Sequence, residues 1–280
     1  MLAHAILLAL VAAPALAQPR VLRDVAYGAH AEQRYDVYLP DRPRSAPIVL
    51  MAHGGGWKRG DKAMGRVVDA KVARWIPKGI IVVSVDYRMQ PDAAPLEQAR
   101  DVARALADVQ RRAPSWGGDP SRVILAGHSA GGHLVALLSA SPSLAVELGA
   151  RRWLGALVLD AGALDVPAIM RARHLPLFDL AFGRDSTDWR AASPQHALTR
   201  QATPMLAVCS SRRRVPCPQA RAFAARARGL GVRLEVLPQD LSHGEINADL
   251  GVPGAYTDAV ERFMASLDPV VATRLGTRGR

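Results

Sequence analysis

Three observations predict an α/β fold: a mostly parallel central sheet with helices on both faces. Short apolar runs of strand length alternate with longer helical patterns, the order that gives parallel strands joined by helical crossovers. The run Val123–Ala126 leads into Gly127-His128-Ser129-Ala130-Gly131, a strand, sharp turn and helix with a serine at the apex. A second apolar run, Ile48–Ala52, enters His53-Gly54-Gly55-Gly56-Trp57. With 280 residues, 49% of them hydrophobic, the chain can bury one large core.

The elements follow in order. Ala5–Ala13 is apolar, and Ala15-Leu16-Ala17 before Gln18 has the small-residue pattern of a signal-peptidase site. The stretch is too short for a comfortable membrane span, and its n-region carries neither Lys nor Arg. Residues 1–17 are expected to be a signal peptide, and the protein to be exported, periplasmic or secreted. Val21–Tyr27 and Gln33–Leu39 alternate and read as an antiparallel edge hairpin. Then come strand Ile48–Ala52, helix Val67–Pro77, strand Ile80–Val85, helix Leu96–Arg112 and strand Val123–Ala126. Strands Leu154–Leu159, Met205–Cys209 and Arg233–Leu237 are expected later, with helices near 218–229 and 255–267. No repeat or linker divides residues 18–268, which read as one domain. The alternation lapses between Ala161 and Pro204, the expected cap insertion, and 269–280 reads as a flexible tail.

The formal charge of +11 invites a nucleic-acid reading. Lysine occurs only at 58, 62, 71 and 78, the rest of the basic residues are arginine, and no basic cluster is interleaved with aromatics. Arginine-biased solvated faces explain the charge better, so no nucleic-acid partner and no integral membrane span are expected. The two cysteines, Cys209 and Cys217, suggest one local disulfide in an exported chain. No histidine stands at ligand spacing beside them, and no metal or organic cofactor is implied.

The two glycine motifs carry the chemistry. Glycines two before and two after Ser129 permit a tight turn that lifts the hydroxyl above the sheet edge. The same turn aims the Ala130 amide, at a fresh helix N-terminus, toward developing negative charge. Gly54-Gly55-Gly56 lets the backbone approach a ligand closely, and the N–H groups of Gly55 and Gly56 with that of Ala130 make a candidate oxyanion hole. Trp57 is expected either to wall the substrate pocket or to support the loop by packing.

These motifs resemble the α/β-hydrolase superfamily, in particular HGGGW-bearing esterases of the hormone-sensitive-lipase-like, feruloyl-esterase-like and kynurenine-formamidase-like branches. Asp86-Tyr87-Arg88, Gly117-Gly118-Asp119-Pro120, Ala192-Ser193-Pro194 and Ser242-His243-Gly244 add to the match, in family order from about residue 25 to residue 267. The resemblance implies an α/β-hydrolase fold with a small cap insertion, a serine nucleophile at Ser129, and small or aromatic ester substrates, acetylated or feruloylated sugars among them.

A serine hydroxyl needs a base to accept its proton. Of the eight histidines, His243 alone follows the last expected strand and precedes the last helix. The orienting acid is harder to place. The resemblance puts it after the penultimate strand, where the chain reads Cys209-Ser-Ser-Arg212-Arg213-Arg214-Val-Pro-Cys217, with no Asp or Glu. Asp160 and Asp165 end or follow the preceding strand; Asp165, farther into the loop, is the favoured candidate, against its competing role as the N-cap of a helix at Val166-Pro167. Asp240, or no acid at all, are the alternatives. The arginines in that loop would repel a proton on a nearby His243.

The expected activity is that of a serine carboxylic-ester hydrolase working through an acyl-enzyme on a small-molecule ester. An arylformamidase or amidase could use the same groups. A hydrolase-fold binding protein with weak catalysis is the rival from another class, favoured by the acid-free arginine loop.

Overall fold

The computed structural model describes residues 19–277. The expected signal peptide at 1–17 lies outside them. Eight strands form one sheet in the order β1-β2-β4-β3-β5-β6-β7-β8. They are β1 (Arg20–Ala26), β2 (Arg34–Leu39), β3 (Ala46–Ala52), β4 (Ile81–Val85), β5 (Gly118–His128), β6 (Gly155–Leu159), β7 (Met205–Ser210) and β8 (Leu234–Gln239). The pairs β1–β2 and β2–β4 are antiparallel, as the edge hairpin required, and every later pairing is parallel.

Among the described residues, twelve α-helices accompany the eight strands: α1 (Gly65–Trp75), α2 (Pro95–Arg112), α3 (Ala130–Ala140), α4 (Ser143–Val146), α5 (Val166–Arg171), α6 (Pro176–Phe182), α7 (Ser186–Ala191), α8 (Pro194–Ala197), α9 (Pro216–Gly229), α10 (His243–Ala248), α11 (Ala255–Ala265) and α12 (Pro269–Leu275). Period-two alternation in the strands splits the core in two. Ile48, Leu50 and Ala52 of β3 pack with Val102 and Leu106 of α2, Leu134 and Leu138 of α3 and Phe223 of α9. Val49 and Met51 face Val68 of α1, Phe263 of α11 and Val271 of α12 on the other side. Central strands are buried on both faces, and so read as unbroken apolar runs.

The stretch 161–204 holds four short helices, α5 to α8, in place of further strands. Residues 269–275 correct the expectation of a flexible tail at 269–280, whose last three residues lie outside the described ones. Asp268 caps α12 through Val270 N and Val271 N, Pro269 opens its first turn, and Val271 and Leu275 bury one face four residues apart. Cys209, the penultimate residue of β7, is bonded to Cys217 in the first turn of α9.

Candidate active site

The site forms where β5, β6 and β7 end. Ser129 sits between β5 and α3 at φ 54°, ψ −116°, backbone angles that a non-glycine residue seldom adopts. The flanking glycines make this possible: a Cβ on Gly127 would lie 2.3 Å from Gly131 O, and one on Gly131 would lie 2.3 Å from Ala52 O. The turn is pinned by Ser129 N donating to Leu159 O and closed into helix by His133 N donating to Ser129 O.

His243 is the first residue of α10, whose start is set by a reciprocal pair: Ser242 Oγ accepts from Glu245 N, and Glu245 accepts from Ser242 N. Its Nε2 lies 3.0 Å from Ser129 Oγ. On the far side of the ring, Nδ1 donates to Asp160 Oδ2 at 2.6 Å. Beneath it, His128 Nε2 donates to His243 O at 2.8 Å, and the two rings lie 4.4 Å apart. Burial, and then the neighbouring His243, hold His128 down to about 3, so it is a neutral support.

Asp160, the residue after β6, has no exposed side-chain surface and also stands in the left-handed region, at φ 48°. Its Oδ1 accepts from Ser210 N at 2.8 Å, and its Oδ2 accepts from Arg213 Nη1 at 2.5 Å as well as from His243. Burial by itself would raise this carboxyl; the hydrogen bonds from His243, the Ser210 amide and Arg213 outweigh it and hold it below the ordinary carboxylate range.

The expectation for Asp165 is therefore corrected. Asp165 does not approach His243; it is the N-cap of α5, accepting from Ala168 N at 3.1 Å, with His196 Nδ1 3.8 Å away. Asp240 is likewise committed elsewhere, to Arg212 Nε at 2.8 Å. Asp160 was within the same short stretch of sequence, and its signal was its place as the first residue past the strand. There the backbone reverses and turns the side chain toward the β8–α10 loop.

The glycine loop lies against the elbow. A Cβ on Gly54 would be 3.0 Å from Ser129 Cβ and 3.0 Å from His128 O, so only glycine lets the two backbones approach. Gly55 and Gly56 take φ 134° and 62°, and a Cβ on Gly56 would meet open space. The loop is braced from behind. Tyr87 Oη donates to His53 O at 2.8 Å, and the two rings stack at 4.6 Å. His53 Nε2 stands 3.2 Å from Asp86 Oδ1, within ion-pair range but too misaligned for a hydrogen bond.

Trp57 is 4% exposed, which favours packing support over an open pocket wall. Its ring meets Phe178 and Phe182 of α6, at 5.8 and 5.0 Å, and His133 of α3. Trp57 Nε1 can only donate, so His133 Nδ1 accepts, at 3.2 Å, and His133 Nε2 must carry the proton donated to Ala192 O at 2.7 Å. Burial lowers His133 to about 4, which agrees with this neutral tautomer.

Among the described residues, no cluster of three or more His, Cys, Asp or Glu is arranged to hold a metal ion, and no helix is long and apolar enough to cross a membrane. The arrangement is a serine hydroxyl, an imidazole and a buried carboxylate in one hydrogen-bonded line beside a glycine loop.

Comparison with known proteins adds to this geometry. The BD-FAE family model matches residues 35–149. Esterase LipC of Mycobacterium tuberculosis is 33% identical over 228 residues, 74% of this chain and 55% of that protein. The probable isoprenylcysteine alpha-carbonyl methylesterase ICMEL1 of Oryza sativa subsp. japonica is 36% identical over 118 residues, 42% of this chain and 27% of that protein. The chain thus spans between about a quarter and about half of the length of these curated relatives. A solved structure described as a truncated form of carbohydrate esterase from gut microbiota superposes with TM-score 0.77 at 18% identity, covering 91% of this chain and 98% of that one. Sheet order, serine elbow, glycine loop and the superposition agree: the chain has the α/β-hydrolase fold, and its sequence is similar to esterases over part of their length.

Proposed function

We propose that the protein is a serine hydrolase of carboxylic esters that works through an acyl-enzyme. The observation that carries this reading is the unbroken line Ser129 Oγ–His243 Nε2 (3.0 Å) and His243 Nδ1–Asp160 Oδ2 (2.6 Å), beside a glycine loop pressed onto the elbow. His243 takes the Ser129 proton as Oγ attacks the ester carbonyl carbon. The carbonyl oxygen, now an anion, is held by the N–H groups of Gly55, Gly56 and Ala130. Asp160 keeps the His243 proton on Nδ1 before attack and offsets the imidazolium charge after it. The imidazolium then protonates the leaving alkoxide as the C–O bond breaks. A water, deprotonated by His243, attacks the acyl-enzyme and releases the acid and Ser129.

The reading extends to small alkyl and aryl esters, acetylated or feruloylated sugars among them, on the strength of the BD-FAE match and the carbohydrate-esterase neighbour. Export is part of the proposal: the apolar stretch ending Ala15-Leu16-Ala17 and the Cys209–Cys217 bond both suit an oxidising compartment. The binding-protein alternative drew its support from the acid-free arginine loop, and Asp160 takes that support away by offering a carboxylate from β6.

The test is intact mass after brief fluorophosphonate treatment, with Ser129→Ala alongside. One adduct on the wild-type chain and none on the variant is expected. A folded wild-type chain that takes no adduct would overturn the reading.

A further inference from the structure

We infer that Arg213 is a positioning residue that sets the acid limit of the reaction by neutralising the carboxylate behind His243. This inference rests on the proposed triad and deepens it. Arg213 comes from the β7–α9 loop, and its Nη1 reaches the Asp160 oxygen that holds the imidazole, at 2.5 Å. The same nitrogen is 2.9 Å from His243 Nδ1. Nδ1 already gives its proton to Asp160, so the imidazole and the guanidinium are two donors converging on one oxygen. Asp160 is wholly buried and Arg213 only partly exposed, so water screens this pair far less than a surface pair.

The consequence is electrostatic. An anion alone behind the imidazole favours the imidazolium, and a paired anion favours it less. With the carboxylate paired, less of its charge is left to draw a proton onto the resting base. The cost falls on the step in which the imidazolium forms, because a fixed positive charge stands beside it.

The other charged groups around His243 do not supply this effect. His128, at the end of β5, is held neutral by burial. Glu245, one turn along α10, is tied to Ser242 N and to Arg212 Nη1. Asp240, in the loop before α10, is paired with Arg212. Lys71 of α1 donates to Asn247 O, at the far end of α10. Arg213 is thus the one cation in direct contact with both Asp160 and His243 among the described residues.

Arg213→Gln removes the charge and leaves a neutral polar side chain in its place. The measurement is kcat/KM against pH, from about 4.5 to 8.5, with a p-nitrophenyl acyl ester and the full chain; Arg213→Lys and Ser129→Ala run alongside. In Arg213→Gln the acid limb is expected to move up by about one pH unit relative to the wild-type profile. Arg213→Lys keeps the charge, and its limb should stay near the wild-type position. A limb that does not move in Arg213→Gln, or a plateau that drops with the limb in place, overturns the role for Arg213 and marks the arginine as structural. Failure of the triad reading looks different: Ser129→Ala would then keep its activity.

Discussion

Asp160 and Asp165 are five positions apart in one loop, and the physics of their backbones separates them. Asp165 precedes Val166-Pro167 and turns its carboxylate back onto the Ala168 amide, as Asp at a helix N-cap does. Asp160 stands at positive φ, which swings its side chain out of the strand's alternation and beneath His243. Sequence alone singled out Ser129, through its glycines, and His243, through its place after the last strand, and the fold brings the two side chains within 3.0 Å. The acid was not legible to the same degree, because strain at a single residue leaves no pattern in composition or periodicity. Asp160→Asn is expected to lower kcat by about 10³- to 10⁴-fold, as loss of the orienting carboxylate does elsewhere. Asp165→Asn should leave kcat within about twofold and cost at most about 1 kcal/mol of stability as a weakened cap. Steady-state kinetics on the two variants, with denaturant midpoints, checks both.

At the scale of elements, the glycine loop after β3, α3 and the α7–α8 junction meet through one buried chain: Trp57 Nε1 to His133 Nδ1, and His133 Nε2 to Ala192 O. The chain ties the glycine loop to the helix that starts after Ser129, so the two halves of the proposed oxyanion hole share one brace. His133→Phe would leave the Trp57 donor buried without a partner, at about 1–3 kcal/mol, and loosen the loop. Its expected kinetic mark is a fall in kcat of about tenfold or more with KM little changed, since a displaced donor acts chiefly on the transition state. A loss carried by KM alone would assign the chain to substrate binding instead. The strands and long helices were legible from alternation and apolar runs, to within a few residues at most ends. The last helix was not, although Asp268-Pro269 and the spacing of Val271 and Leu275 form a capped amphipathic turn. A terminal run rich in Arg and Gly obscured that signal.

Across the whole molecule, the buried histidines couple folding to pH. His128 and His133 are lowered by burial to about 3 and about 4, against about 6.5 in an unfolded chain. Between those values the unfolded chain binds more protons than the native one, so stability falls as pH drops below about 6.5. The loss from His133 levels off once pH passes below about 4, where the native ring is protonated too. Thermal unfolding is expected to show a clearly lower Tm at pH 5 than at pH 7.5, and His133→Asn should flatten part of that slope. An unchanged Tm across this range would mean that neither ring is neutral and enclosed as described.

The disulfide has a further consequence. Cys209 and Cys217 are both nearly inaccessible, one anchored in the sheet and the other in the helix that covers it. The residues between them form a closed ring whose ends cannot drift, whatever lies inside. Ser210 and Pro216, at the two ends of its interior, belong to strand and helix, and the residues 211–215 between them form the part of the ring that lies outside both. Arg213, which faces Asp160, is mounted on that ring, so under its proposed role the acid limit of the reaction becomes an exchangeable part, open to revision by grafting a few residues.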